Sequence, residues 1–115
     1  MTPIALPWPD KALSPNSRTH WAAKAITVKA HRSDGYWNAY IAGWGRWPKD
    51  VAPTVTITFQ PPDNRRRDTD NMLASCKAYL DGIADALGVD DSRWTLRIER
   101  IPAKAPGAVM VRVTA

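Results

Sequence analysis

The chain has 115 residues and a mass of 12.8 kDa, which is room for one domain and one core. With 44% hydrophobic and 23% charged residues it is neither disordered as a whole nor membrane-spanning, since no apolar run approaches the ~18–20 residues of a span. Sixteen Lys and Arg against 11 Asp and Glu give a net charge of +5 and a pI near 9.7, which points to a polyanionic partner, nucleic acid first.

The elements can be read in chain order. Ile4-Ala5-Leu6 is a short apolar run that predicts a strand, stopped by Pro7-Trp8-Pro9. Residues 10–18, with Ser14-Pro15-Asn16-Ser17, read as a loop. From residue 20 to 43 the apolar residues Trp21, Ala25, Val28, Trp37, Tyr40, Ile41 and Trp44 recur at helical steps, interrupted by Ser33-Asp34-Gly35. This predicts two helices or one with a break. Over residues 51–60, Val55, Ile57 and Phe59 alternate with Thr54, Thr56 and Thr58, the pattern of a half-buried strand. Leu73, Cys76, Leu80, Ile83 and Leu87 then predict one amphipathic helix over 71–87, stopped by Gly88. Residues 94–101 predict a strand with Trp94, Leu96 and Ile98 on one face and Arg93, Arg97 and Arg100 elsewhere. Residues 108–113 predict another, reached through 102–107 with a hairpin connection at 104–107. The order β-α-β-α-β-β predicts a single α+β domain, 1–115, with a mixed sheet and two main helices on one face.

The N-terminal residues lack a basic start and are broken by proline, so no cleaved signal peptide is expected. A single cysteine, Cys76, precludes an internal disulfide, and no Cys/His spacing suits structural zinc. The expectation is a soluble, cytoplasmic protein with no membrane partner. His20 and His31 are expected to be packing or surface groups rather than ligands.

Charge is unevenly placed. Residues 63–91 hold seven acids and four bases, and the rest of the chain holds 12 bases and four acids. An acidic island in a basic protein suits metal-dependent chemistry on nucleic acid, with bases on the phosphates and carboxylates on a cation. In Arg65-Arg66-Arg67-Asp68-Thr69-Asp70-Asn71, an extended backbone would project Asp68 and Asp70 to one side. Mg²⁺ needs only a few carboxylates because it keeps several waters. Helix capping accounts for one of Asp68, Thr69 and Asn71, but not for both aspartates beside three arginines. Lys77 shares a helical stripe with Asp70, Ala74, Asp81 and Asp85, where it either reaches a phosphate or simply pairs with Asp81. Gly82, costly inside a helix, implies close approach by another backbone. Asp90-Asp91 follow the helix end, an unfavourable place for acids unless something compensates them.

These residues resemble a known family. Arg66-Arg67-Asp68-Thr69-Asp70-Asn71, Asp81-Gly82 and Gly88-Val89-Asp90-Asp91 resemble the RusA-type Holliday junction resolvases (crossover junction endodeoxyribonucleases) of bacteria and their prophages. Leu6-Pro7-Trp8-Pro9, Ser14-Pro15-Asn16 and Arg18-Thr19-His20-Trp21 are similar to the phage-type branch. The resemblance implies a homodimeric endonuclease that uses Mg²⁺, with Mn²⁺ as a substitute, to cut four-way DNA junctions by paired nicks in recombination and repair. It places the metal on Asp68, Asp70 and Asp91, with Asp90 as the alternative third ligand. The family's essential lysine falls where this chain has Ala74, and Lys77 is the candidate one turn later. Arg65, Arg66 and Arg67 would hold the DNA backbone, extended by Arg18 and Lys24. The other class of function is a non-catalytic basic DNA-binding or architectural protein, with the six tryptophans stacking on unpaired bases.

One geometric expectation follows. An unbroken helix over 71–87 is about 25 Å long, with Asp68 and Asp70 at one end and Asp91 beyond the other. A dimer pairing two such helices antiparallel, in close contact at Gly82, would join each Asp68/Asp70 pair to the partner's Asp91 in a composite site.

Overall fold

The computed structural model describes residues 2–115. Its elements are β1 (Ile4–Pro7), α1 (Trp21–Ile41), β2 (Thr54–Gln60), α2 (Thr69–Ser75), α3 (Lys77–Leu87), β3 (Thr95–Arg100) and β4 (Ala108–Thr114), with 3₁₀ turns at Lys11–Leu13 and Asp91–Arg93. The strands form one mixed sheet in the order β1-β4-β2-β3. Strand β4 runs antiparallel to both β1 and β2, and β2 is parallel to β3. The parallel pair requires a crossover, which α2 and α3 provide.

Alternation decides which face of the sheet is covered. Val55, Ile57 and Phe59 of β2 stand in register with Val113, Val111 and Val109 of β4. Ile4 and Leu6 of β1 continue the same face. All eight are buried. Over them lie Met72, Cys76, Leu80, Ile83 and Leu87, with Ala39 and Trp44 from and just after α1. The opposite face carries Arg97, Glu99 and Arg112, all exposed, so the helices lie on one side as expected.

The hydrophobic rhythm misleads at α1. It runs 21 residues without a break, and Ser33-Asp34-Gly35 lies inside it. Gly35 is there because α1 crosses α3 almost backbone to backbone: a Cβ on Gly35 would sit 2.2 Å from the Tyr79 carbonyl oxygen. Gly82 is its counterpart on α3, where a Cβ would lie 1.9 Å from the Arg32 carbonyl oxygen. The close approach expected at Gly82 is real, but its partner is α1 of the same chain. That contact is therefore not open to a second copy. The buried face of α1 is Gly35 and Ala39, whereas Trp21, Val28, Trp37, Tyr40 and Ile41 are exposed.

The helix expected over 71–87 is two helices joined at Cys76, whose φ of −94° and ψ of 0° end one and begin the other. The Ser75 hydroxyl donates to the Asn71 carbonyl 2.9 Å away, the back-bonding that bends helices. The expected hairpin at 104–107 is also replaced. Strand β2 lies between β3 and β4, so this segment crosses the end of β2, with Lys104 N–H donating to the Pro61 carbonyl at 2.8 Å. Strand β3 is an edge strand exposed along its length. Its Leu96 and Ile98, which share one face of the strand, are 40% and 39% exposed.

Candidate active site

Two stretches far apart in sequence meet in one open cleft of about 620 Å³. One wall is the loop after β1, with Trp8, Asp10, Lys11, Ser14 and Asn16. The other is the segment entering α2, with Arg65, Arg66, Arg67 and Asp68, then Asn71, Met72 and Ser75 of the helix. The N-terminal motif and the arginine-aspartate motif, read separately in sequence, thus line the same space. An adjoining depression shares Lys11, Ser14 and Asn16 and continues to Arg18. Lys24 sits on α1 and lines neither.

The three arginines are not equivalent. The Arg67 side chain is 19% exposed and held to the Asp63 carboxylate at 2.9 Å. It also donates to the carbonyls of Asp63 and Arg65, and its guanidinium carbon lies 5.5 Å from the centre of the Trp8 ring. Arg67 therefore builds the cleft wall. In return its guanidinium holds the Asp63 carboxyl below the usual carboxylate range, helped by the Arg65 N–H. Arg65 and Arg66 remain exposed to solvent.

Asp68 is the N-cap of α2, with extended backbone, but its carboxylate makes no capping hydrogen bond. Asp10 and Asp90 are also N-caps, and each accepts from a backbone N–H, of Ala12 and of Ser92. The capping account that the sequence left open therefore does not cover Asp68. Asp70 lies inside the first turn of α2, not on extended chain, and residues two apart on a helix do not face one another. Consistent with that, Asp68 lines the cleft and Asp70 does not. Among the described residues, the six ion pairs include neither aspartate.

Lys77 opens α3, and its ammonium is held between two carboxylates: Asp81 at 2.9 Å and Asp91, to which it also donates. The hydrogen bond to Asp91, then that to Asp81, raises its pKa above the ordinary lysine value. The expected Asp81 pairing is present, and Asp91 joins it. Asp91 reaches back along α3 to do so, so it is not stranded at the far end of a rod. Asp90 instead accepts from the N–H and hydroxyl of Ser92, the hydroxyl bond chiefly lowering its pKa. Of the adjacent pair, Asp91 faces the lysine and Asp90 is spent on its own turn. Among the described residues no three acids, histidines or cysteines gather in a group able to hold a metal ion. Asp68, Asp70 and Asp91 are thus not brought together within one chain.

Arg100 was not singled out by sequence. From the end of β3 it donates to the Arg67 carbonyl and the Thr69 hydroxyl, both at 3.1 Å, bracketing Asp68. Strict alternation places it on the Leu96 and Ile98 face, not with Arg97, and an arginine continuing an apolar face was the available signal. His20 caps α1 through Nδ1, accepting from Ala22 N–H at 3.2 Å, and His31 stacks on Tyr79 at 4.5 Å between centroids.

No family model matches the chain. It is 46% identical over 96 residues to an uncharacterized protein of Xylella fastidiosa (strain Temecula1 / ATCC 700964), an alignment covering 82% of this chain and 63% of that protein. The chain therefore spans less than two thirds of the relative's length. No helix among the described residues is long and apolar enough to cross a membrane.

Proposed function

We propose that the chain is a cytoplasmic, metal-dependent endodeoxyribonuclease of the RusA type, acting on branched DNA such as a four-way junction. The observation that carries this reading is Asp68: a carboxylate at a helix start, without its capping bond, on the wall of a cleft that also presents Arg65 and Arg66. A carboxylate beside phosphate contacts repels DNA unless a cation lies between them. For a hard divalent ion such as Mg²⁺, or Mn²⁺ in its place, the cleft offers the Asp68 oxygens, which lie outside every ion pair of the described residues, and such an ion keeps several waters.

In this reading Asp68 would hold the cation from the cleft wall, the resemblance adds Asp70 from the first turn of α2 outside the cleft, and the cation would supply an activated water and polarise the phosphoryl oxygen. Arg65 and Arg66 hold the backbone phosphates, with Arg18 extending the track through the adjoining depression. Arg100 and Arg67 fix the turn that carries Asp68. Asp91 would act from a two-fold partner as the third carboxylate, giving composite sites in a homodimer; within its own chain it is paired with Lys77. A non-catalytic DNA binder would share the basic cleft but would gain nothing from the unspent carboxylate.

The deciding experiment is nicking of a labelled four-way junction and a matched linear duplex, in Mg²⁺ and in EDTA. Junction-selective nicking in Mg²⁺ and none in EDTA is expected. Tight binding without cleavage in either buffer would move the protein to the non-catalytic class.

A further inference from the structure

One wall of the cleft is held from behind by two side chains of the helical layer. Tyr79 of α3 donates from its hydroxyl to the Pro7 carbonyl at 2.9 Å. His31 of α1 lies on the Tyr79 ring, with centroids 4.5 Å apart and planes 20° from parallel. Its Nε2 accepts from the Asp10 N–H at 3.2 Å. The two bonds bracket Trp8-Pro9. Trp8 packs edge-on against Phe59 at 6.1 Å and carries the Arg67 guanidinium on its ring. Asp10 starts the 3₁₀ turn of Lys11–Leu13, its carboxylate accepting from the Ala12 N–H at 2.8 Å. Trp8, Asp10 and Lys11 all line the cleft. His31 is not among the cleft residues and reaches the wall through that one backbone bond.

The direction of that bond ties it to one charge state of the ring. A ring nitrogen that accepts from an N–H carries no proton, so the neutral imidazole has its proton on Nδ1. Nδ1 is buried and has no hydrogen-bond partner among the described residues. The ring thus leaves one nitrogen unpaired and commits the other to a role that only the neutral state can fill. Protonation sets an N–H on Nε2 against the Asp10 N–H, donor against donor, and the bond is lost. The groups around the stack do not restore it. Burial pushes the Tyr79 phenol up and the Cys76 thiol up to about 12, so both stay neutral. Asp34 of α1 and Asp10 of the loop are the charged groups acting on Tyr79. Either carboxylate would draw a charged imidazole out of its present contact rather than mend it. We propose that neutral His31 is a positioning residue for the cleft, and that its protonation frees segment 8–13 and loosens the hold of the cleft on a DNA backbone. The second half of this rests on the reading of the cleft as a DNA site, and the first half does not. Its sign sets the effect apart from simple electrostatics. A positive charge added behind the cleft would by itself tighten DNA binding, whereas release of the wall weakens it.

The test compares wild type, His31→Gln and His31→Leu at about pH 8 and about pH 5, the span over which a histidine side chain changes charge. Glutamine keeps an acceptor that stays uncharged, and leucine removes the acceptor at every pH. The first readout needs no DNA: amide hydrogen exchange resolved by residue and expressed as protection over the intrinsic rate at each pH. In wild type the Asp10 amide should lose about 5-fold in protection in acid, the size one hydrogen bond sets. The Lys104 amide, bonded to the Pro61 carbonyl at 2.8 Å, should not change. Asp10 should stay protected in the glutamine variant and be unprotected at both pH values in the leucine variant. The second readout is fluorescence anisotropy of a labelled four-way junction in EDTA at fixed ionic strength. Relative to the glutamine variant, wild type should bind about 5-fold more weakly in acid than at about pH 8, matching the loss of that bond. Constant Asp10 protection in wild type, or a fall shared with Lys104, overturns the proposal, and this comparison within wild type decides it even where a variant does not fold. Wild type that binds in acid as tightly as the glutamine variant, or more tightly, overturns the coupling of the bond to the cleft. Absence of binding by all three proteins at both pH values sinks the DNA reading of the cleft, while the exchange data still decide the role of His31.

Discussion

Replacing Gly82 by alanine tests the crossing on which the whole helical layer depends. Taken alone, the change should help, because alanine is favoured over glycine inside a helix by about 1 kcal/mol. The crossing reverses the sign. The new Cβ would lie 1.9 Å from the Arg32 carbonyl oxygen and 2.8 Å from the Tyr36 nitrogen. Both are backbone atoms of α1, so no rotamer can relieve the contact, and α1 must move off α3 by more than 1 Å. That shift loosens the reciprocal contact of Gly35 with Tyr79 and stretches the Arg32–Asp85 ion pair, now 2.8 Å. Overpacking costs about 1–3 kcal/mol before lost contacts are added. The net expectation is destabilisation by about 2–3 kcal/mol, a large share of the ~5–15 kcal/mol that holds a domain together. At roughly 4 °C per kcal/mol this lowers Tm by about 10 °C. Urea unfolding followed by circular dichroism measures it, with Gly45→Ala as control, since nothing lies within 4 Å of a Cβ there. If Gly82→Ala unfolds at wild-type urea concentration or higher, the helices are not in backbone contact and the reasoning fails.

Asp68→Asn and Asp70→Asn should each leave folding and junction binding nearly intact while nicking falls at least ~100-fold, as loss of a direct ligand should exceed the ~10–100-fold of outer-shell changes; near-normal nicking by either would remove that residue from the site. Arg65→Ala with Arg66→Ala should weaken DNA binding at every sequence and flatten its salt slope by ~0.9 per lost phosphate contact. Arg67→Ala should instead lower Tm with little change in slope, and a full slope change for it would contradict its commitment to Asp63 and Trp8. For Lys77 the ion pairs raise the folded-state pKa above that of the unfolded chain. The stabilisation is then fully present below about pH 10.5 and is lost as pH rises through the raised value. With the lysine side chain 58% exposed it is worth well under ~1 kcal/mol. The stability gap between wild type and Lys77→Met should be flat from pH 7 to 9 and close above pH 11, and a gap that widens there would show the pairs are not the cause.

What the sequence made legible followed from period and from punctuation. The β2 alternation predicted its buried face because every second residue met a helix or a core valine. Prolines ended β1 and β2 because they cannot extend a ladder. Where two surfaces compete for one element, period alone failed. Helix α1 has apolar residues on both sides, and its core face proved to be the inconspicuous one, Gly35 and Ala39, because a backbone crossing selects for absence of side chain. Its large residues mark the other side. Leu96 and Ile98 alternate correctly but sit on an edge strand, a fact of sheet order that no local window carries. The bend at Cys76 falls within an apolar period that continues from Leu73 to Leu87, so period alone did not show it.

The site was legible in its parts and not in its assembly. Residue type could place Asp68 at a helix start, but capping and ligation call for the same residue there. The fold separates the two, because the chain carries other aspartate caps for comparison. Asp10 and Asp90 cap the two 3₁₀ turns and spend their carboxylates on backbone N–H groups, as a side chain does when about 1 kcal/mol of capping is the best use available. Asp68 has the extended backbone of a cap and forgoes that bond, while Arg100 and Arg67 hold the turn around it. A fold that gives up a local stabilisation while bracing the same residue from two directions is departing from local consistency, as functional sites do. The same test separates Asp91 from Asp90. Asp90 is consumed by its own turn, and Asp91 is paired with Lys77, which also holds Asp81. On the proposed reading the informative aspartate is Asp68, which the fold braces without spending its carboxylate on a cap or an ion pair.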